Sequence, residues 1–357
     1  MRVGTQHEIA GGLSGLCRSI LKFFFAGLGT FSFLTGVRLS DGRGSDWILR
    51  SRLLSFIQDG KAFKELNHTK GAGGFKCCQG CKNVTNPQKQ TLEAYSQDDY
   101  LVHYTCTDPK KFDKHTPESF WEMIDLLSSQ VGRLSPDDLS ELELACGIGY
   151  DPDSLTFDRG LRSIYNPIQH NMCDPMHVLV ASGGVIQFEI NEFVRHAIRS
   201  EGLKVMDLDA WVAAHVIWRR EHQQKHMVGK KRKTFFQDRV VMKPHAHLKA
   251  FASETLMALC ALVLFFEIVY EPHGIMQEHG KCLKLLQCIV DILFFMGDGA
   301  VKCHAQLSAL IEQHNTLFLK IYPRKCTEAH VKMSIRHAYI MSLIMHKCKS
   351  VCCFIGS

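Results

Sequence analysis

The sequence predicts an α+β protein that is mostly α-helical, with a small Cys-rich β subdomain and a helical carboxyl-terminal region. Three observations predict it. Apolar residues recur at three-to-four-residue steps through much of the chain, the period of a helix that buries one face. The run YLVHYTC, Tyr100 to Cys106, is instead β-branched and aromatic and reads as a strand. Glycines at 71, 73 and 74, and a stretch rich in Asp, Gly, Pro and Asn over 147–174, divide the chain into segments.

The chain has 357 residues, 46% hydrophobic and 22% charged, which excludes collagen-like, low-complexity and wholly disordered classes. Its 42 basic and 36 acidic residues leave a formal charge of +6, an excess that permits DNA or another acidic partner without requiring one. Fifteen cysteines are an odd number in a chain too long to need disulfide staples, so a reducing compartment is expected, with some thiols as metal ligands and others as small core residues.

Taken in order, residues 1–46 form an N-terminal segment whose apolar part, Ile20 to Val37, is interrupted by Lys22 and glycines. A packed helix is expected there rather than a membrane span, which needs about 20 predominantly apolar residues. Residues 47–146 form a second region. From Trp47 to Leu66 the apolar positions repeat as in one helix or a broken pair, and Phe75 to Cys81 with Tyr100 to Cys106 flank the Cys-rich subdomain. Thr116 before Pro117 and Ser135 before Pro136 mark two helix starts, and Gly147 marks an end. Residues 147–228 comprise an extended connection to Asp174, a helix over 176–199 and another over 208–226. A basic, exposed linker at 229–243 leads to four helical stretches in 244–345, and 346–357 is a tail.

The residues that suggest chemistry fall into four groups. Cys78 and Cys81 form C-x2-C, and His103 and Cys106 form H-x2-C, two chelating pairs suited to a structural zinc; the plainer reading is buried thiols. Asp59, Asp174 and Glu254 are acids at unusual places, because a carboxylate on an apolar helix face must be solvated, paired or metal-bound. Their plainer readings are a solvent-facing position for Asp59, an N-cap for Asp174 and a surface position near a helix start for Glu254. His177 lies three residues after Asp174, within reach on one helical turn, and His330 and His337 share a face of the last helix. Lys230, Lys231, Arg232 and Lys233 suit nuclear import or a phosphate-binding patch; the alternative is a solvated loop. No Walker, dinucleotide-binding, nucleophile-elbow or H-E-x-x-H motif is present, so no nucleotide cofactor is expected.

Together, DGKAFKELNHTKGAGGFKCCQGC from Asp59, CDPMH from Cys173, and IEQHNTLFLKIYP followed by AHVKMSIRH resemble transposase-derived proteins of the CACTA and Kyakuja-Dileera-Zisupton type. The resemblance spans roughly residues 50–340. It implies an RNase H-like core in which an Asp, Asp, Glu triad holds two Mg²⁺ or Mn²⁺ ions for in-line attack on a DNA phosphodiester. By it, Asp59 is the second acid, Glu254 the third, and Asp174 with His177 an accessory pair. The family's first acid sits on a central strand far upstream, whereas here the only aspartates before Asp59 are Asp41 and Asp46, both in the turn-like DGRGSD. The expectation is therefore an incomplete core: a truncated relative, inactive alone, that acts in the nucleus on DNA, with self-association expected. A non-enzymatic, zinc-bearing helical module that binds nucleic acid or protein is the alternative.

Overall fold

The computed structural model describes residues 9–27, 32–40, 43–86, 100–103, 106, 109–174, 176–181, 183–215, 234–243, 246–294 and 303–322. The basic run 230–233, His330, His337 and the tail 346–357 lie outside the described residues. The chain is mostly helical with small sheets, and it divides into two compact units: 1–104 with 110–174, and 175–357 with 105–109. The division falls inside the predicted 147–228 region.

In the first unit, α1 (Gly12–Leu21) is tied into the core by Ser14, whose hydroxyl donates to the Leu66 carbonyl at 2.6 Å and accepts from the Leu155 amide at 2.9 Å. Leu21 packs with Leu66, Leu155, Leu161, Ile164 and Tyr165. Helix α1 is thus part of the core of the first unit. Strands β1 (Val37–Ser40) and β2 (Asp46–Leu49) pair antiparallel, which corrects the helix expected from Trp47 and carries one hairpin across the predicted boundary at 46. Trp47, Ile48 and Leu49 are exposed, so their helical spacing marks no buried face, and aromatic and β-branched residues suit a pleated strand. Asp46, placed by sequence in a turn, opens β2 and pairs with Arg38.

Strand β3 (Phe56–Gln58) leads into α2 (Gly60–Asn67). Strands β4 (Val84–Thr85) and β5 (Val102–His103) pair in parallel, the second within the strand expected over 100–106, while the flank 75–81 makes only the bridges of Lys76 with Thr85 and of Cys81 with Lys114. Helix α3 (Pro117–Gln130) starts at Thr116, whose hydroxyl accepts from the Ser119 amide; α4 (Pro136–Cys146) starts at Ser135. Gly147 ends α4 at φ 73°, where a Cβ would stand 2.3 Å from the Lys76 carbonyl oxygen. Segment 147–174 is no open connection: Leu155, Leu161, Ile164 and Tyr165 are buried, α5 (Pro167–His170) is capped by Asn166, and β6 (Asn171–Cys173) pairs with β3. Its few apolar residues follow no regular period, so the sequence pattern hides their burial.

The second unit opens with a π-helical turn, Met176–Val180. The helix expected over 176–199 is broken before α6 (Val185–Ser200), because Gly183 takes φ 75° and a Cβ on Gly184 would lie 2.7 Å from the Leu179 carbonyl. Helix α7 (Val205–His215) is followed by α8 (Phe235–Arg239). Phe235 and Phe236 are fully buried, so this part of the predicted exposed linker is core. Asp209 of α7 explains it by accepting from the amides of Phe236 and Gln237 at 2.8 and 2.9 Å.

Helices α9 (Ala252–Phe265), α10 (Gln277–Phe294) and α11 (His304–Ile321) complete the unit. Its main core joins Ile186, Ile190, Phe193 and Val194 of α6 to Ala258, Leu262 and Phe265 of α9 and Leu283 and Leu286 of α10. Among the described residues, Ala252–His273 is long and apolar enough to cross a membrane, and half of it is buried inside the protein.

Candidate carboxylate and metal sites

Asp59 and Asp174 are brought to matching positions in the first unit. Strands β3 and β6 run parallel with Gln58 opposite Cys173, and the Asp174 amide donates to the Gln58 carbonyl at 3.0 Å. Each acid therefore follows the last paired residue at the carboxyl end of its strand, and neighbouring strands stand about 4.8 Å apart. A buried polar network fixes the pair of strands. Gln58 Nε2 donates to Asn171 Oδ1 at 2.9 Å, Asn171 Nδ2 to Asn67 Oδ1 at 3.1 Å, and the Tyr165 hydroxyl to Asn67 Oδ1 at 2.5 Å. Asp59 is also the N-cap of α2: its Oδ1 accepts from the amides of Lys61 and Ala62 at 2.9 and 2.7 Å. Both acids are half-buried. His177 is exposed, in the opening turn of the second unit, so a shared helical turn with Asp174 is not formed.

Glu254 is near a helix start, as the sequence predicts, but it is not on the surface. Only 2% exposed, it receives Arg239 Nη2 on Oε1 at 2.9 Å, and Arg239 Nε and the Phe251 amide on Oε2 at 3.2 and 3.0 Å. The guanidinium lies over the Phe235 ring, 4.7 Å from its centre. Both carboxylate oxygens are engaged in joining α8 to α9, which is a structural task rather than the holding of a catalytic ion.

Cys78 and Cys81 are both buried, and their thiols act on each other's titration. Burial pushes the Cys78 thiol up. Cys78 lowers that of Cys81, helped by Lys114 and Lys76. His103 does not join them in a set of three ligand atoms, and Cys106 groups with the other unit. The buried neighbours are instead Lys76 and His115, with Lys76 Nζ 2.5 Å from His115 Nε2. Burial, then the charges of Lys76 and Lys82, push the His115 imidazole down to about 3; burial also lowers Lys76.

The set of three metal-ligating side chains found among the described residues lies in the second unit, between α6, α10 and α11. Ligand atoms of Glu189, Cys282 and His314 all fall within 4.8 Å of one another, and all three residues are buried. His314 Nε2 and Glu189 Oε2 are 2.7 Å apart, and Glu189 Oε1 is buried without a hydrogen-bond partner. Burial pushes the His314 imidazole down, yet the charge and hydrogen bond of Glu189 raise it overall; burial and the same carboxylate push the Cys282 thiol up. Phe188, Phe318 and Tyr322 close around the set.

Sequence reasoning missed this set because its members come from three helices and form no local motif. The signal available was a Glu inside the apolar run VIQFEI, a carboxylate that a buried face cannot hold alone. Comparison of the chain with protein-family models, with curated proteins and with solved structures found no match.

Proposed function

We propose that the protein is a degenerate relative of DDE-type DNA transposases that binds a divalent cation but does not cut DNA alone. The observation that carries this reading is the parallel pairing of β3 with β6, which sets Asp59 and Asp174 at adjacent strand ends. In this reading Asp59, just past the end of β3, serves as the first acid rather than the second, and Asp174 is its partner rather than an accessory group. The two carboxylates would hold Mg²⁺ or Mn²⁺, the ion that activates water and then a 3′-hydroxyl in active relatives. Loss of activity follows from Glu254, whose oxygens are both engaged by Arg239 and the Phe251 amide. Removing one member of a catalytic set that acts as a unit removes most of its rate enhancement. DNA as partner, a nuclear location through Lys230, Lys231, Arg232 and Lys233, and self-association belong to the same proposal.

The test is Mn²⁺ binding by electron paramagnetic resonance beside a strand-cleavage assay. Bound Mn²⁺ that disappears in Asp59→Asn and in Asp174→Asn, with no cleavage, is the expected outcome. Asn still caps α2, so the first change removes charge and spares the helix. Robust cleavage overturns the inactivity, and absence of Mn²⁺ binding overturns the carboxylate pair. A second reading, a zinc-bearing binding module without catalysis, is favoured by the mutual influence of the buried Cys78 and Cys81 thiols. It requires zinc that is lost when both are changed to Ser.

A further inference from the structure

We propose that Glu189, Cys282 and His314 form a structural zinc site that clamps α11 onto α6 and α10. The inference is independent of the transposase reading and concerns the other unit. Three different donors, a carboxylate oxygen, a thiolate sulfur and an imidazole nitrogen, come from three different helices and meet within 4.8 Å. Glu189, Cys282 and His314 are each at most 1% exposed, so bulk solvent does not reach them. The 2.7 Å contact with His314 serves one Glu189 oxygen and leaves the other buried and unpartnered. An orphaned carboxylate oxygen in an apolar core is costly, and a cation shared with the thiolate and imidazole would satisfy it.

The donor set selects the metal. Sulfur and imidazole are poor ligands for Mg²⁺ or Ca²⁺, whereas mixed nitrogen, sulfur and oxygen donors suit tetrahedral Zn²⁺. Phe318 and Tyr322 pack against the set from the α11 side, so the site is closed as structural zinc sites are. On binding, Zn²⁺ displaces the protons of the Cys282 thiol and of the His314 imidazole, which pass to buffer.

The experiment uses the full chain, stripped with a chelator and reloaded with Zn²⁺ or Co²⁺ alone. Expected are one equivalent of metal, a thiolate-to-cobalt charge-transfer band, and loss of both in Cys282→Ser and in Glu189→Gln. Both should persist in the Cys78→Ser, Cys81→Ser double variant. A band and stoichiometry unchanged by the Cys282 and Glu189 variants, or no metal uptake at all, overturn the proposal. If those variants fail to fold, X-ray absorption of the zinc-loaded natural chain decides. One sulfur among nitrogen and oxygen neighbours supports the site, and two or more sulfurs assign the metal elsewhere and overturn it. Cation binding by Asp59 and Asp174 is read separately through Mn²⁺, so the two proposals fail independently.

Discussion

In the first unit a buried polar cluster beneath the strand pair is neutral and its members serve one another: Gln58, Asn67, Asn171 and Tyr165 interlock across β3 and β6. In the second unit a fully buried cluster sets a carboxylate against an imidazole, with one oxygen left over. The amide network needs nothing from outside and acts as a scaffold, holding two half-exposed acids at a strand end. The Glu189 cluster is incomplete in its own donors, and incompleteness in a dry core is the mark of a ligand site rather than a strut.

The comparison can be broken most forcefully at His314. With divalent metal chelated, His314→Ala strands Glu189 in the core and should cost about 3–5 kcal/mol, the range for breaking a buried pair. Hydrogen exchange resolved to α6, α10 and α11 reads it; a loss below about 1 kcal/mol, the worth of an exposed pair, would show that the cluster is solvated. Asn67→Ala in the first unit should cost less, about 1–3 kcal/mol, because it leaves neutral partners unsatisfied. A larger effect at Asn67 than at His314 inverts the ranking.

pH sharpens the contrast, since the two buried imidazoles titrate in opposite senses. His115, held down to about 3, is neutral in the fold, whereas the unfolded chain takes up a proton from its ordinary 6.5 downward. The first unit should therefore lose stability as pH falls from 6.5 towards 3. His314 is held above its ordinary value by Glu189, so its contribution is complete below 6.5 and fades as pH rises through the raised value. With chelator present, imidazole titration followed by NMR should find His115 neutral and His314 protonated at pH 6; the same protonation state at both refutes the contrast. The smallest effect belongs to the α2 cap. Asp59→Ala should cost about 0.5–2 kcal/mol in thermal or denaturant unfolding, and Asp59→Asn only a few tenths.

What was legible in the sequence was local. The caps at Thr116 and Ser135 and the end at Gly147 depend on a side chain and an amide two or three residues away, so the chain carries them in its own order. The hairpin at Trp47 was not legible, since the same spacing of apolar residues serves a helix and an exposed strand until pairing decides. Nor was the burial of Phe235 and Phe236, which rests on Asp209 capping α8 from α7. Asp59 and Asp174 could be singled out as unusual acids, but only the parallel register of β3 and β6 makes them neighbours.

The sequence by itself determined the helical class, several helix boundaries and a short roster of reactive side chains, because propensity and capping act over one or two turns. Tertiary structure alone decided which carboxylates became structural, as Glu254 did beside Arg239, and which meet other ligands, as Glu189 does beside Cys282 and His314. The reason is physical: a buried charge takes its role from whatever the fold packs against it, and those partners lie far away along the chain.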